Sequence, residues 1–241
     1  MDEQHRPGTP AADPLPGVSS RAPRPGFVKR LYLEERDAWR RRYRKHFKHA
    51  ARALGLGFVA GFLFFLLQPG RETKALEFVA RSLKDIRLEG PPLTLALTLF
   101  YHNARASAVA VAAGAVPFLF LPIFDPLLNG GVLGLLASVG KHQGLDVPRL
   151  FLTKVLPHGV FELTAVLYAT SLGLHLSAEM GKKAVVSWRR RKGTHTQCVP
   201  FPEPAGPAGV ARDIVRSFVL VVLPLLLVAA AIEGLITPLL D

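Results

Sequence analysis

Long stretches with few charged residues constrain this chain more than any other feature. Five such blocks cover residues 53–67, roughly 93–124, 131–140, 150–176 and 217–240. A helix that spans a bilayer needs about 20 mostly apolar residues, and most of the blocks reach or approach that length. A soluble protein would spread its hydrophobic residues more evenly along the chain. The sequence therefore predicts an all-α fold, a polytopic membrane bundle of about five transmembrane helices with amphipathic interfacial helices beside them.

The distribution of positive charge predicts how these helices cross. The chain has 30 Lys and Arg against 18 Asp and Glu, a net charge of +12, and most of the excess lies in 21–52 and 177–216. Basic segments beside membrane spans stay in the cytoplasm, so an even number of crossings must separate these two. Four blocks separate them and a fifth follows. We therefore expect a multi-pass protein of the inner (plasma) membrane, with its amino terminus in the cytoplasm and its carboxyl terminus outside.

Composition divides the chain into three parts. Residues 1–26 are rich in Pro, Gly and small polar residues, which is typical of a disordered extension. Residues 27–51 predict a basic amphipathic juxtamembrane helix. Residues 52–241 form the expected transmembrane domain, which includes a cytoplasmic loop at 177–214 and a short amphipathic helix at 73–90.

An aromatic stripe runs along the expected basic helix. Trp39, Tyr43 and Phe47 recur every four residues, so they share one helix face. Such a helix either lies on an anionic lipid surface or is a solvated helix that fixes the orientation of the chain. Its position before a span explains its charge, so we expect the lipid bilayer as its partner and no nucleic acid. Five basic side chains surround the stripe: Arg40, Arg41, Arg42, Arg44 and Lys45.

The fourth block contains ionisable residues that need an explanation. Lys154, His158 and Glu162 are four residues apart, so they share one helix face. A charged side chain inside a membrane costs about 2.5 to 3.5 kcal/mol on insertion scales. Either these residues form a buried site for an ion, a proton or a headgroup, or they join a packing network with Asn103 or Asn129 on a neighbouring helix. Pro157 frees a backbone carbonyl for a partner, and Gly159 allows close backbone approach.

The middle of the chain is rich in residues that bend or break helices. Asp125-Pro126 and Asn129-Gly130-Gly131 are typical of a sharp turn. The block at 131–140 is short for a full span, so it is either a re-entrant half helix or a helix that borrows residues from the turn. If it only re-entered the membrane, the basic segment at 189–192 would face outward. Glu233 in the last block is expected near the outer interface, where it can snorkel.

No motif in the sequence indicates an enzyme. His-Glu-x-x-His, Gly-x-Ser-x-Gly and the phosphate-binding Gly-x-x-x-x-Gly-Lys-Ser/Thr loop are all absent from the sequence. Cys198 is the single cysteine and lies in a polar segment. We therefore expect a non-enzymatic protein without a cofactor, a metal ion or catalytic residues.

Several short motifs, in order and spacing, resemble the stage II sporulation protein M family over roughly residues 50–240. The most specific element is Leu156 to Leu163, because Pro, His, Gly and Glu rarely occur together in one apolar helix. The other motif positions include His102, Asn103, Asn129, Gly130 and Glu233. The resemblance implies a multi-span protein of the bacterial inner membrane. In spore-forming bacteria, the namesake of the family works with peptidoglycan-degrading partners during engulfment of the forespore.

The sequence favours two functions, and a third, an intramembrane hydrolase, would be expected to contain bound metal. One is a scaffold that recruits or localises other membrane or envelope proteins, with peptidoglycan hydrolases as candidate partners and a homo-oligomer as a further possibility. The alternative is a transporter or channel-like protein with a titratable site near the midplane at His158 and Glu162, because discontinuous helices with buried acids are typical of such sites.

Overall fold

The computed structural model describes residues 26–82, 91–192 and 206–236, and every regular element within them is helical. The extension expected at 1–26 lies almost wholly outside this described part. The all-α expectation is confirmed. The α-helices are α1 (Phe27–Ala38), α2 (Arg44–Leu67), α3 (Glu72–Ser82), α4 (Pro92–Ala113), α5 (Phe124–His142), α6 (Val147–Leu150), α7 (Leu156–Arg191), α8 (Pro207–Ser217) and α9 (Leu223–Ala231).

Four continuous helices are long and apolar enough to cross a membrane. They are Phe27–Leu67, Leu121–His142, Leu156–Arg189 and Ala208–Gly234. A further helix, α4, has 22 residues and a length of about 33 Å at 1.5 Å per residue. Its polar stretch from Tyr101 to Arg105 makes it less apolar than the other four.

Helices α2 and α5 run parallel and touch backbone to backbone. A Cβ atom added to Gly57 would lie 2.0 Å from the carbonyl oxygen of Leu127, and one added to Gly130 would lie 2.1 Å from that of Leu54. Glycine is required at both positions, because any side chain would force the two helices apart. The interpretation of 129–131 as a turn is therefore wrong. These residues lie inside α5, and the short block gains its length from them.

Helices α4 and α7 form a second parallel pair. Asn103 faces Glu162 near the middle of α4. Just after α4, a Cβ atom added to Gly114 would lie 2.1 Å from the carbonyl oxygen of Gly173. Near the start of α4, Ala96 contacts Gly234, at the end of the last helix, so α4 and α9 are antiparallel. Phe58 of α2 meets Phe151, just before α7, whereas Tyr43, just before α2, meets Tyr168 further along α7. Helices α2 and α7 are therefore antiparallel, and the long helices alternate in direction along the chain.

Two segments of π-helix directly precede prolines. Phe151–Val155 lies before Pro157, and Phe218–Val222 lies before Pro224. Proline has no N–H to donate to the preceding turn, and its ring clashes with that turn. A wider π-helical turn before the proline relieves this clash without ending the helix. The helices therefore continue through both prolines, from Val147 to Arg191 and from Pro207 to Ile236.

The aromatic stripe of the first helix packs into the protein core. Tyr43 is fully buried, and the Trp39 ring stacks on Tyr168 of α7 at a centroid distance of 5.4 Å. Phe47 meets Trp39 edge to face at 5.2 Å. The expectation that this stripe lies on a lipid surface is therefore wrong, because α7 offers an aromatic partner that the local sequence of the helix does not reveal.

Polar contacts join α1 and α8 beside this aromatic core. Glu35 accepts hydrogen bonds from the Tyr168 hydroxyl at 2.6 Å and the Ser217 hydroxyl at 2.9 Å. Arg216 donates to Glu34 at 2.8 Å, and Arg42 pairs with Asp213. The polar segment 177–214, expected as a loop, is thus helical at both ends, and its start and end lie close to the basic helix.

Candidate functional site

Three side chains capable of binding a cation come together between α7 and the last helix. His158 and Glu162 lie one turn apart on α7, and Glu233 comes from the π-helical segment Ile232–Ile236. One ligand-type atom from each residue lies within 4.8 Å of the other two. His158 Nε2 lies 3.9 Å from Glu233 Oε2. We call these three residues the His-Glu-Glu cluster.

A fourth residue connects the cluster to α4. The amide of Asn103 donates a hydrogen bond to Glu162 Oε1 at 3.1 Å, which is one of the two partners that the sequence suggested. The other, Asn129, instead donates to the backbone and side chain of Asp125, at 2.9 and 3.1 Å, within α5. Three elements thus meet at the cluster: α4, α7 and the end of the last helix.

Local sequence places each member of the cluster. The spacing of four residues puts His158 and Glu162 on one face of α7. Gly234 allows the last helix to approach α4 closely, since an added Cβ would lie 2.6 Å from the Cβ of Ala96, and this brings the adjacent Glu233 into the cluster. Gly159 has no such role, because its nearest neighbour is the side chain of Val155 at 3.5 Å.

The cluster is partly shielded from its surroundings. The side chains of His158 and Glu233 are 18 % and 34 % exposed. The Nδ1 atom of His158 is buried and has no hydrogen-bond partner. Two carboxylates at this separation repel each other unless a proton or a cation lies between them. The arrangement is therefore suited to binding a proton or a positive ion.

The remaining predicted site residues lie elsewhere. Arg40, Arg41, Arg42, Arg44 and Lys45 are exposed on the first helix, where Arg41 pairs with Asp37 at 3.3 Å. The side chain of Lys154 lies outside the described part of the structure, so its predicted contact with Glu162 stays a prediction. Glu233 is placed beside His158, whereas the sequence suggested only that it lies near the outer interface.

His102 belongs to a different feature, an open cleft between α4 and the start of α5. The cleft has a volume of about 450 Å³. Three of the six residues that α4 contributes to its lining are alanines, and Arg105 of α4 and Asp125 of α5 also line it. Among the described residues, Arg105 has no carboxylate within ion-pair distance. The lining is His102, Arg105, Ala106, Val109, Ala110, Ala113, Leu121, Pro122, Asp125 and Leu128.

The sequence contains no motif that predicts this cleft. Alanines between 106 and 115 indicate close helix packing, yet in the structure several of them line an open space. The signal that could have found the cleft is Arg105, a cation in the middle of a long helix without a nearby acid in the sequence.

Comparison with protein families gives a match that covers the part of the chain that contains this site. The family model described as stage II sporulation protein M matches residues 50–238, which include α4, α5, α7, the His-Glu-Glu cluster and the cleft. Neither a comparison with curated proteins nor one with solved structures gives a significant match. The match covers most of the chain, and its apolar helices are those of a membrane protein. The chain therefore belongs to the stage II sporulation protein M family.

Proposed function

We propose that this protein is a non-enzymatic scaffold of the bacterial inner membrane that holds partner proteins during remodelling of the envelope and its peptidoglycan. Membership in the stage II sporulation protein M family supports the envelope setting. The observation that carries the proposal is the cleft between α4 and α5, because small residues in its lining would let another transmembrane helix approach closely.

Small residues make the cleft suitable for a helix. Ala106, Ala110 and Ala113 lie at spacings of four and three residues along α4, so they form one flat stripe. In lipid, helices associate through such small residues because their backbones can approach closely. Val109 and Leu128 flank the stripe as exposed apolar side chains and supply the contact area at its edges.

Charge specifies the kind of helix that fits. An arginine in a membrane helix is costly unless it pairs with an acid or reaches the headgroups. Arg105 is exposed in the cleft, about 20 Å along α4 at 1.5 Å per residue. The occupant we propose is a partner's transmembrane helix that carries a carboxylate opposite Arg105 and small residues opposite the alanine stripe.

The proposed topology has five crossings. Helix α4 has the length of a span, and the long helices alternate in direction, as successive crossings must. The first helix and α8 meet through their charged side chains, so the two basic segments lie at the same end of the bundle. With the positive-inside rule, this supports a cytoplasmic amino-terminal helix and an outward end of α9.

Removal of the Arg105 charge tests the docking surface. In native membranes, Arg105→Leu should abolish co-purification of a cross-linked partner, whereas Arg105→Lys should retain most of it because the charge remains. Leu97→Ala, which changes an exposed apolar residue elsewhere on α4, is the matched control and should leave the partner unchanged. If the same partners co-purify with the Arg105→Leu variant in the same amounts as with the wild type, the cleft is not the docking surface.

A second candidate function is ion or proton transport through the His-Glu-Glu cluster. The specific observation in its favour is a pair of carboxylates and an imidazole within 4.8 Å inside the helical bundle. Glu162→Gln in proteoliposomes should then remove pH-dependent flux while the protein still folds. Wild-type protein that shows no flux above empty liposomes would contradict this function and leave the scaffold untouched.

A further inference from the structure

We propose that His158, Glu162 and Glu233 bind one resident divalent transition-metal ion of the Zn²⁺ type, which connects α7 to the end of the last helix. This inference does not rest on the docking cleft, which involves other residues. The sequence alone predicts no metal, because the third ligand is 71 residues from Glu162 along the chain and joins the cluster only through the fold.

The separations of the three residues are close to those of a metal site. Zinc lies about 2.0 to 2.2 Å from nitrogen and oxygen ligands, so the ligands of one ion are about 3 to 3.6 Å apart. His158 Nε2 and Glu233 Oε2 are 3.9 Å apart, and every pair of ligand atoms lies within 4.8 Å. Binding of one ion therefore requires these atoms to move inward by about 1 Å, a shift of the size that side-chain torsions provide.

The charge of the cluster favours a divalent cation. Two carboxylates contribute up to two negative charges in a setting where isolated charges are costly. A divalent ion neutralises both of them at once and also binds the imidazole. Glu233 is 34 % exposed, so the ion can reach the cluster from the surface of the bundle.

Asn103 completes the arrangement from the adjacent helix. Its amide holds one oxygen of Glu162 at 3.1 Å, which leaves the other oxygen free for the ion. Hydrogen bonds of this kind orient metal-binding carboxylates, and their loss typically weakens metal binding about 10- to 100-fold. Asn103 is therefore a positioning residue for the proposed site.

The ligand set indicates which metals fit. One imidazole and two carboxylates suit Zn²⁺, Mn²⁺ or Fe²⁺, whereas Ca²⁺ and Mg²⁺ prefer oxygen ligands alone. With three protein ligands, one coordination position remains for water. In a membrane bundle such an ion connects the last helix to α7 through His158 and Glu233.

Metal titration of the full-length, untagged protein in nanodiscs tests the proposal. After treatment with a chelator, wild-type protein should take up one equivalent of Zn²⁺ per chain by elemental analysis, and its Tm should rise with added Zn²⁺. Mg²⁺ should produce no such rise. Glu233→Gln should weaken Zn²⁺ binding by more than about tenfold, and Asn103→Ala by about tenfold.

Asp125→Asn is the matched control, because this variant removes a partly buried carboxylate that lies outside the cluster. It should bind Zn²⁺ as the wild type does. If Glu233→Gln does not fold, His158→Asn and Asn103→Ala test the same site. The proposal is overturned if wild-type protein binds no Zn²⁺ at micromolar concentration, or if the cluster variants bind as much as Asp125→Asn does. Both outcomes leave the docking experiment on Arg105 unaffected.

Discussion

At the scale of single residues, the contact between Asn103 and Glu162 shows what can be predicted from spacing. The four-residue interval places His158 and Glu162 on one face, and an asparagine in another apolar block is a natural partner. Glu233 could not be assigned to the same cluster, because its position depends on how the last helix crosses α4 and α7. Helix periodicity contains no information about that crossing.

The Asn103–Glu162 hydrogen bond should be measurable as a coupling energy. Asn103→Ala, Glu162→Ala and the double variant form a cycle, and we expect a coupling of about 0.6 kcal/mol with an upper range of about 1.7 kcal/mol, as is typical inside membrane bundles. The measurement is the free energy of unfolding in detergent micelles. The control cycle combines Asn103→Ala with Asp125→Ala, and the effects of these two changes on the free energy of unfolding should add. Additivity in the first cycle as well would contradict the contact.

At the scale of helices, the main error of sequence reasoning has a clear physical origin. Asn129-Gly130-Gly131 has the composition of a turn, since glycine and asparagine favour turns in soluble proteins. In α5, Gly130 serves a different purpose, because the backbone of α2 lies directly against it. Single-sequence propensity cannot distinguish these cases, whereas the length of the adjacent apolar block favours a helix that includes the glycines.

Two neighbouring glycines allow a matched test of this helix contact. Gly130→Ala should destabilise the protein by about 1 to 3 kcal/mol, because the new methyl group would lie 2.1 Å from the Leu54 carbonyl oxygen. Gly131→Ala meets nothing within 4 Å and should be neutral or slightly stabilising, since alanine favours helix over glycine. Unfolding measurements on both variants provide the comparison. Equal effects would contradict the close α2–α5 contact.

At the scale of the whole molecule, the alternating helix directions support the parity argument made from charge. The sequence predicts that the two basic segments share one side of the membrane, and the structure joins their helices through Glu35, Arg216 and Ser217. From the sequence, the aromatic stripe of the first helix faces either a lipid surface or solvent, and its packing against Tyr168 is not visible because Tyr168 lies 125 residues beyond Tyr43. Neither the charge distribution nor the helix periodicity of a sequence identifies contacts between residues so far apart along the chain.

The single cysteine allows a direct test of the five-crossing topology. Cys198 follows α7, so it should be protected from a membrane-impermeant maleimide in intact cells and become reactive after permeabilisation. A cysteine introduced at Asp241 in a Cys198→Ser background should show the opposite pattern. Labelling of Cys198 in intact cells would contradict this orientation and favour an odd number of crossings before it.

The central claim, that the cleft between α4 and α5 holds a partner's transmembrane helix, is tested most directly by site-specific photo-cross-linking. A photoreactive residue at Val109, inside the cleft, should give a discrete adduct with another membrane or envelope protein in native membranes, and Arg105→Leu should remove that adduct. The same residue at Leu227, exposed on α9, should give none. An adduct only with a second copy of this chain would assign the cleft to self-association. No adduct at Val109, or one unaffected by Arg105→Leu, would contradict the account.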